Sequence, residues 1–443
     1  VAPLEILVTG TGRQSVIVIG AGPAGLTAAD RLASAGYRVT LLSRSAMLGE
    51  AVCRSHRLPP SILGCHQATW AFLHTLGIQR TAPLFDESTL EFLLPSGRLA
   101  RYPKTRFPTP LQQLLTIGRF VGLSPAERWR LLSWLEQLWE GSLELASDLE
   151  HRTAQQWLKS LQYSDASLQT IWNPLARWLT GNDLEQLSGD AFVTAVKPFF
   201  LSGAANSRIW MPRKRWDHLF VGSIEKRLTK HGVSLALCTP AVRFEVRDQR
   251  VTGLRVKDGA VLEADWYVAA IPPHQLTPLL PERWLTRYAY FQHIADLHMA
   301  PCTVIHVLTD TVLARPRHVL MGAGPFQWIL CTPSLPDRRL VAHLALRPGQ
   351  SEAGHEQHVV TALRSLHLLE PGHHRSERAR DDEENAVLTL SPGTNVRRPI
   401  HRSPIPNLLL AGAWTDTGWP GNLESAIVSG HRCAEIVASG RTA

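Results

Sequence analysis

The sequence predicts an α/β fold in which a parallel-sheet unit is assembled from both ends of the chain and joined to a second, α+β unit. Three observations predict it. Ser15 to Leu42 runs strand, glycine turn, helix, strand, and Leu408 to Ser429 runs strand, glycine-rich loop, helix at the opposite end of the chain. The chain has 443 residues, 44% of them hydrophobic, which is more than one core usually organises, so two or more domains are expected.

Composition removes several classes. Only 19% of residues are charged, and neither long low-complexity tracts nor internal repeats are visible, which excludes extensive disorder, solenoids and fibres. The net charge of +8 favours anionic partners: nucleic acid, lipid headgroups or an anionic cofactor. Nucleic acid is disfavoured, because the arginines are scattered and no zinc-finger, basic-zipper or ribonucleoprotein signature is present. Cys53, Cys65, Cys238, Cys302, Cys331 and Cys433 lie far apart with no CxxC pair, which argues against a disulfide scaffold and against a zinc site. The expected compartment is the reducing cytoplasm. No apolar run approaches the roughly 18 to 20 residues of a spanning helix, so the expectation is a soluble protein or one peripheral on the inner face of the membrane.

The opening elements carry the first motif. Val16 to Ile19 is short, β-branched and uncharged, Gly20-Ala21-Gly22-Pro23-Ala24-Gly25 follows, a helical pattern runs to Gly36, and Arg38 to Leu42 reads as a second strand. In that context Gly20 permits the tight turn, Gly22 lets the backbone approach a pyrophosphate, and Gly25 lets helix and strand pack closely. Phosphate charge would meet the free amides and positive dipole end of the helix. The reading is a Rossmann-like dinucleotide site, set against an ordinary strand-turn-helix that holds nothing. A dinucleotide site normally has Asp or Glu after the second strand for the ribose hydroxyls, and here Ser43 and Arg44 stand. Either Ser43 and backbone groups hold the ribose, or Arg44 favours an extra phosphate. The first reading is preferred because the rest of the chain speaks for flavin.

The closing elements supply that argument. Pro406 to Gly412 reads as a short buried strand, Ala413 to Gly421 as a loop, and Leu423 onward as a helix with Asn422 as its N-cap. Ala426, Ile427, Gly430, Ala434 and Val437 keep helical spacing. A helix N-terminus aimed at an isoalloxazine ring stabilises the negative charge of a reduced flavin. A capped helix that merely packs is the plainer alternative.

With both ends read together, the chain resembles the amine oxidase and phytoene desaturase superfamily of flavoproteins. Within it the similarity is greatest to the squalene-associated desaturase group, the hydroxysqualene dehydroxylases, from about Ser15 to Ala438. Leu63 to Thr69 leading to Leu76-Gly77 resembles the helix after the family's flavin-contacting loop, and Ile209 to Pro212 its short turn before the second nucleotide-domain segment. Ala241 to Phe244 resembles the strand whose backbone meets the adenine, Ala269 to Pro273 an A-x-P-P strand end, and Arg398-Pro399 the pair before the closing strand.

The resemblance implies FAD as cofactor, held by Gly20, Gly22, Pro23, Ala24, Gly25, Ser43, Arg44, Gly49, Val242, Gly412, Ala413, Asn422, Leu423 and Glu424. It also implies a discontinuous FAD-binding domain of 15–75, 208–275 and 390–443 after an N-terminal tail of 1–14, and a substrate domain of 76–207 and 276–389. The implied reaction is reductive dehydroxylation: hydroxysqualene and reduced FAD give squalene, water and oxidised FAD. Flavin N5 is the expected hydride donor, with Asp416 and His66 as weak candidates for a catalytic proton-handling role. Two alternatives stay open. One is a carotenoid or dehydrosqualene desaturase, and the other a cofactor-poor homologue serving as partner or lipid carrier for squalene-forming enzymes.

The family pattern is altered at four places around the cofactor. Ser43 replaces the ribose-binding acid, Leu48-Gly49-Glu50 the Gly-Gly-Arg, His56 to Pro60 a polar loop, and Ala413 the Asp of the closing Gly-Asp. At about 1 kcal/mol for each lost hydrogen bond, the four together would weaken FAD binding roughly a thousandfold. Asn422, Glu424 and the three glycines remain, so flavin binding is expected to survive.

A long isoprenoid substrate partitions into bilayers, and Arg101 to Gly141 is the expected surface contact. Arg101, Lys104 and Arg106 lie among prolines, Leu114, Leu115, Phe120 and Val121 follow, and Ser124 to Glu127 forms a capping box with Pro125 at the first helical position. Trp129, Trp134 and Trp139 then stand among leucines beside Arg128 and Arg130, a composition that suits a bilayer interface or an amphipathic helix pair packed on the core. Trp172, Trp178, Phe199 and Phe200 read as core before tunnel wall. His373 to Glu384 reads as a solvated loop, and no metal is expected.

Overall fold

The computed structural model describes residues 13–49, 61–81, 84–102, 111–140, 148–201, 205–213, 216–312, 316–322, 326–333, 339–346, 355–368 and 377–440. Glu50 and His56 to Pro60 lie outside them, as do Lys104 and Arg106. The strands in chain order begin with β1 Ser15–Ile19, β2 Arg38–Leu42, β3 Ile62–Leu63, β4 Phe85–Leu93, β5 Leu99–Arg101 and β6 Ile209–Pro212. They continue with β7 Ser234–Ala236, β8 Ala241–Arg247, β9 Arg250–Val256, β10 Val261–Leu262 and β11 Trp266–Ala269. The last are β12 Met299–Val312, β13 Arg317–Met321, β14 Phe326–Pro333, β15 Arg339–Leu346, β16 Glu377–Leu388 and β17 Leu408–Leu410. The helices used below are α1 Pro23–Ser34, α2 Gln67–Thr75, α3 Leu111–Gly118, α4 Pro125–Glu140, α5 Asn173–Thr180 and α6 Leu423–Ala438.

A parallel sheet ordered β17-β11-β1-β2-β7 joins the two ends of the chain. Its central strands are short, apolar and buried, as a parallel sheet covered on both faces requires. Gly20, Ser43, Ala270 and the loop opened by Ala411 and Gly412 follow the carboxyl ends of β1, β2, β11 and β17, so all four reach one rim. Strand order reverses at β1, where an open α/β sheet forms a crevice. The closing strand is shorter than Pro406 to Gly412: proline brings no N–H to a ladder, and Gly412 has already turned out of strand geometry at φ +147°.

Helices α1 and α6 pack against each other at very close range. Gly430 is the reason: a Cβ there would overlap the Ala24 carbonyl oxygen and lie 2.9 Å from Thr27 Cβ. Gly25 does the same for α1 against the Gly20 carbonyl.

A small antiparallel sheet ordered β10-β9-β8 stands beside it. The large sheet runs β16-β12-β15-β14-β13-β4-β6-β3, with β5 paired to β4. Two expectations are corrected here. Ile209–Pro212 is not a turn but strand β6, bonded to β3 and β4, because its alternating burial fits a pleat better than a bend. Residues 377–384 are not a solvated loop but part of β16, twelve residues antiparallel to β12. Asp381 and Glu383 lie on a half-buried face, and Asp382 and Glu384 on an exposed one. His373 to Ser376 lie outside the described residues.

The capping box at α4 forms as expected, and more. Ser124 donates from its N–H and Oγ to Glu127 Oε2 at 2.9 and 2.8 Å, while Ser164 and Ser167 donate to Oε1. Burial pushes the Glu127 pKa up, but these bonds outweigh it and leave it at about 2. Trp134 and Phe120 are buried; Leu114, Val121 and Trp129 are exposed, Trp129 at 72%. The side chain of Trp139 is outside the described set. Trp172, Phe199 and Phe200 are core, and Trp178 packs edge-on against Phe199 and His318. No described helix is long and apolar enough to cross a membrane, and the described residues form no metal-ligand cluster.

Three fully buried histidines contribute to the acid sensitivity of the fold. Burial lowers the pKa of His66, His318 and His343 to about 3 in each case, from the usual 6.5. An unfolded chain takes up their protons below pH 6.5 and the folded chain does not, so stability is complete above 6.5 and falls toward pH 3. The three act in the same direction, so stability falls progressively as the pH drops below 6.5. Denaturant melts at pH 7 and pH 5 should therefore differ strongly. Replacing His318 with Asn should flatten the dependence by about one proton.

Candidate functional site

The rim of the parallel sheet opens on a cavity of about 910 Å³, at the upper end of the size usual for ligand sites. Its floor is the glycine turn. Gly22 is extended, at φ −77° and ψ 177°, and a Cβ added there meets no protein atom within 4 Å, so the backbone is bare toward the cavity. The N-terminus of α1 carries no side-chain cap and no acid in its first turn, which leaves its amides and dipole free for an anion. Ser43 and Arg44 from the end of β2 and Thr239 to Val242 at the start of β8 line one end. Ile271, Met299, Val304, Leu388 and Trp414 give an apolar wall, shared between the parallel sheet and the large sheet.

The closing loop is fixed by a buried cation. Arg398 Nη2 donates to the Ala413 and Thr415 carbonyls at 3.2 and 2.6 Å, Nε to Trp414 O at 3.4 Å, and Nη1 to Asn395 Oδ1 at 3.3 Å. Burial lowers its pKa to about 10, which still leaves it charged at neutral pH. Ser425 Oγ donates to Ala413 O at 3.0 Å, Ser429 Oγ accepts the Gly412 N–H at 2.8 Å, and Trp414 Nε1 donates to Ile271 O at 3.0 Å.

Of the residues expected at the cofactor, Gly20, Gly22, Pro23, Ala24, Ser43, Arg44, Val242, Gly412 and Ala413 line the cavity. Gly25, Gly49, Asn422, Leu423 and Glu424 stand behind this wall. Gly49 donates its N–H to Ala21 O at 2.8 Å, and Asn422 caps α6 by accepting from the Ser425 N–H at 2.9 Å. Glu424 caps a different helix. Its carboxylate accepts from the N–H groups of Ala68 and Thr69 at 2.8 Å and from Thr69 Oγ1 at 2.6 Å, tying α2 to α6.

Neither acid–base candidate reaches the cavity wall. His66 is buried, accepts the Leu63 N–H on Nδ1 at 3.3 Å, packs edge-on against Trp419, and is neutral with its pKa near 3. Asp416 is exposed and has its N–H on Pro399 O at 2.9 Å. The sequence reading missed His274 and Gln275 after the A-x-P-P strand end, and Asp381, Glu383 and Asn385 on β16. Asp381 to Asn385 is an unbroken polar run, so the sequence carried no period-two signal to single out the members that face the cavity. Burial lowers the His274 pKa, Arg44 adds to that, and Glu383 opposes it.

A bare glycine turn at an uncapped helix end, below a cavity that continues onto an apolar wall, fits a dinucleotide with a flat apolar ring system. A family model described as flavin containing amine oxidoreductase matches residues 23–438. The chain belongs to the flavin-containing amine oxidoreductase family.

Curated relatives in this family include a 15-cis-phytoene desaturase of Synechococcus elongatus, 24% identical with 95% of each chain covered. A protein named probable zeta-carotene desaturase, from the same organism, is also 24% identical over 95% of this chain and 98% of its own. Among solved structures, an oxidoreductase from Methanosarcina mazei superposes with a TM-score of 0.69 at 16% identity, covering 95% of this chain and all of the other, and shares the fold. The protein is an FAD-dependent oxidoreductase of this family, and the cofactor-poor alternative is set aside. Gly22 to Ala24 would hold the diphosphate, Ser43 and Thr239 to Val242 the adenosine end, and the clamped loop from Gly412 the ring system.

Two substitutions test this cradle. Gly22→Val suits the existing backbone and points into open space, so it should leave the melting temperature unchanged while reducing FAD affinity at least a hundredfold in a fluorescence titration. Arg398→Ala removes a buried donor from the Trp414 and Thr415 carbonyls, while Ala413 O keeps Ser425 Oγ, and should lower stability by roughly 2 to 3 kcal/mol in denaturant melts.

Proposed function

We propose that this protein carries out flavin redox chemistry on a long isoprenoid, specifically the reductive removal of the hydroxyl of hydroxysqualene to give squalene and water. The observation that carries the isoprenoid reading is the single cavity in which the nucleotide cradle runs onto an apolar wall of the large sheet. The named carotenoid desaturases, related over nearly the whole chain, support the same substrate class. Dehydroxylation is put before desaturation on the resemblance of Ser15 to Ala438 as a whole to the hydroxysqualene dehydroxylase group. Desaturation is the second reading, and the names of those relatives favour it.

Reduced flavin, when bound, supplies the hydride. The chain supplies the surroundings. Met299, Val304, Leu388 and Trp414 hold apolar surface against the ring site and keep water from an allylic centre on which charge develops. The N-terminus of α6, capped by Asn422, directs its dipole toward the loop that lines the cavity and favours an anionic reduced cofactor.

Hydroxysqualene incubated anaerobically with the FAD-loaded, reduced protein should yield squalene with one flavin oxidised per product. A desaturated product from phytoene or dehydrosqualene under oxidising conditions, without squalene, would install the second reading. Neither product from loaded protein would sink the isoprenoid assignment.

We also propose that α3 and α4 rest on a membrane surface from which such a substrate enters. Leu114, Val121 and Trp129 are exposed there, beside Arg119, Arg128 and Arg130. Trp129→Ala combined with Val121→Ala should cut co-sedimentation with anionic vesicles about tenfold without altering the melting temperature. Equal sedimentation of both proteins would remove this contact.

A further inference from the structure

We propose that Asn395 is a positioning residue for the flavin site: it links the carboxylates of Asp190 and Glu150 to Arg398, and through Arg398 to the loop that opens at Gly412. This role rests on the FAD site described above and concerns what holds its closing loop in place.

The loop is steadied from a distant part of the chain. Asn182, buried, donates from Nδ2 to the Leu388 carbonyl and accepts the Leu390 N–H on Oδ1, both at 3.0 Å. Ser188 donates its N–H to Leu390 O at 2.8 Å, and Glu150 O accepts the Gly393 N–H at 3.1 Å. These bonds tie the segment that leaves β16 to the region of residues 150–190, and bring Asn395 to the first turn of the helix Gly189–Leu201, where Asp190 stands.

Asn395 then reaches three groups. Its Nδ2 donates to Asp190 Oδ2 at 2.7 Å, its N–H donates to Glu150 Oε1 at 2.9 Å, and its Oδ1 accepts from Arg398 Nη1 at 3.3 Å. An amide carries both a donor and an acceptor, so it can join a carboxylate to a guanidinium. The arrangement has a reason in charge. A buried guanidinium needs negative charge nearby, yet a carboxylate paired to it directly would compete for the donors aimed at the loop. Burial lowers the Arg398 pKa, and Asp416, Glu150 and Asp190 oppose the fall, so their charge is within range. With Asn395 between, Asp190 and Glu150 compensate that charge at one remove, while Nη2 and Nε stay on the carbonyls of residues 413–415. Burial, and then Asp190, pushes the Glu150 pKa up, which marks two carboxylates gathered near one cation. Gly412, Ala413 and Trp414 line the cavity, so a shift of Arg398 moves the wall against which the ring system would sit.

Three measurements on the intact chain test this: FAD affinity by flavin fluorescence, the midpoint potential of bound flavin by dye equilibration, and apoprotein melting as the control for folding. Asn395→Asp sets an acceptor against Asp190 and should weaken FAD about tenfold and move the potential. Adding Asp190→Asn exchanges donor and acceptor across the same bond, and should return the affinity to within about twofold of wild type and the potential with it. Wild-type affinity and potential in Asn395→Asp overturn the assignment. A double variant that regains neither affinity nor potential overturns it as well, whether or not its melting temperature returns, because a purely structural bond would restore melting alone. A wild-type protein that binds no FAD would instead overturn the flavin site itself, so the two failures are distinguishable.

Discussion

The backbone contact between the first and last helices is the constraint on which the rest of the molecule depends. Gly430 on α6 lies against Ala24 and Thr27 on α1, at a distance that no side chain permits. That approach sets the height of β17 beside β11, and so brings the Gly412 loop to the same rim as the Gly20 turn. It also fixes a third element. Glu424, in the first turn of α6, holds the N-terminus of α2, so one helix aligns the start, the end and the Leu63 to Thr75 region of the chain. Hydrophobic burial makes the sheet stable, but these glycine and carboxylate contacts give it one register.

The site built on this frame is electrostatically simple at its floor and unusual at its rim. The bare amides of α1 favour an anion, and no acid in that turn opposes them. Arg398 spends its charge on the carbonyls of residues 413–415, so the closing loop is held from behind even though Ala413 brings no side-chain acceptor. Contact strength is therefore moved from side chains on the loop to a buried cation beneath it. The acids that do face the cavity belong to β16, far from the nucleotide motifs in sequence.

Much of this was legible in the residues. The strand-turn-helix-strand from Ser15 to Leu42 and the helix capped by Asn422 follow from periodicity, glycine placement and local capping, all of which act over a few residues. The errors have one cause. Residues 377–384 read as a loop because acids are poor strand formers in isolation, yet β12 supplies ladder partners from Glu377 to Glu383 and the pleat sends Asp382 and Glu384 to solvent. Ile209–Pro212 read as a turn for want of its two partner strands. Glu424 and His66 read as cofactor or proton-handling groups because a motif gives position without direction. Burial turned one into a helix cap and the other into a neutral packing group.

By itself, then, the sequence determined the nucleotide motif, the α/β class and the closing helix, because glycine sterics, helix caps and hydrophobic period are properties of neighbouring residues. The tertiary structure decided which side chains face the cofactor. Direction depends on which strand lies alongside and which backbone amides a carboxylate can reach, and those partners are hundreds of residues away. Glu424 and Glu383 show both outcomes: the acid inside the motif is turned to α2, and the acid outside every motif is turned to the cavity.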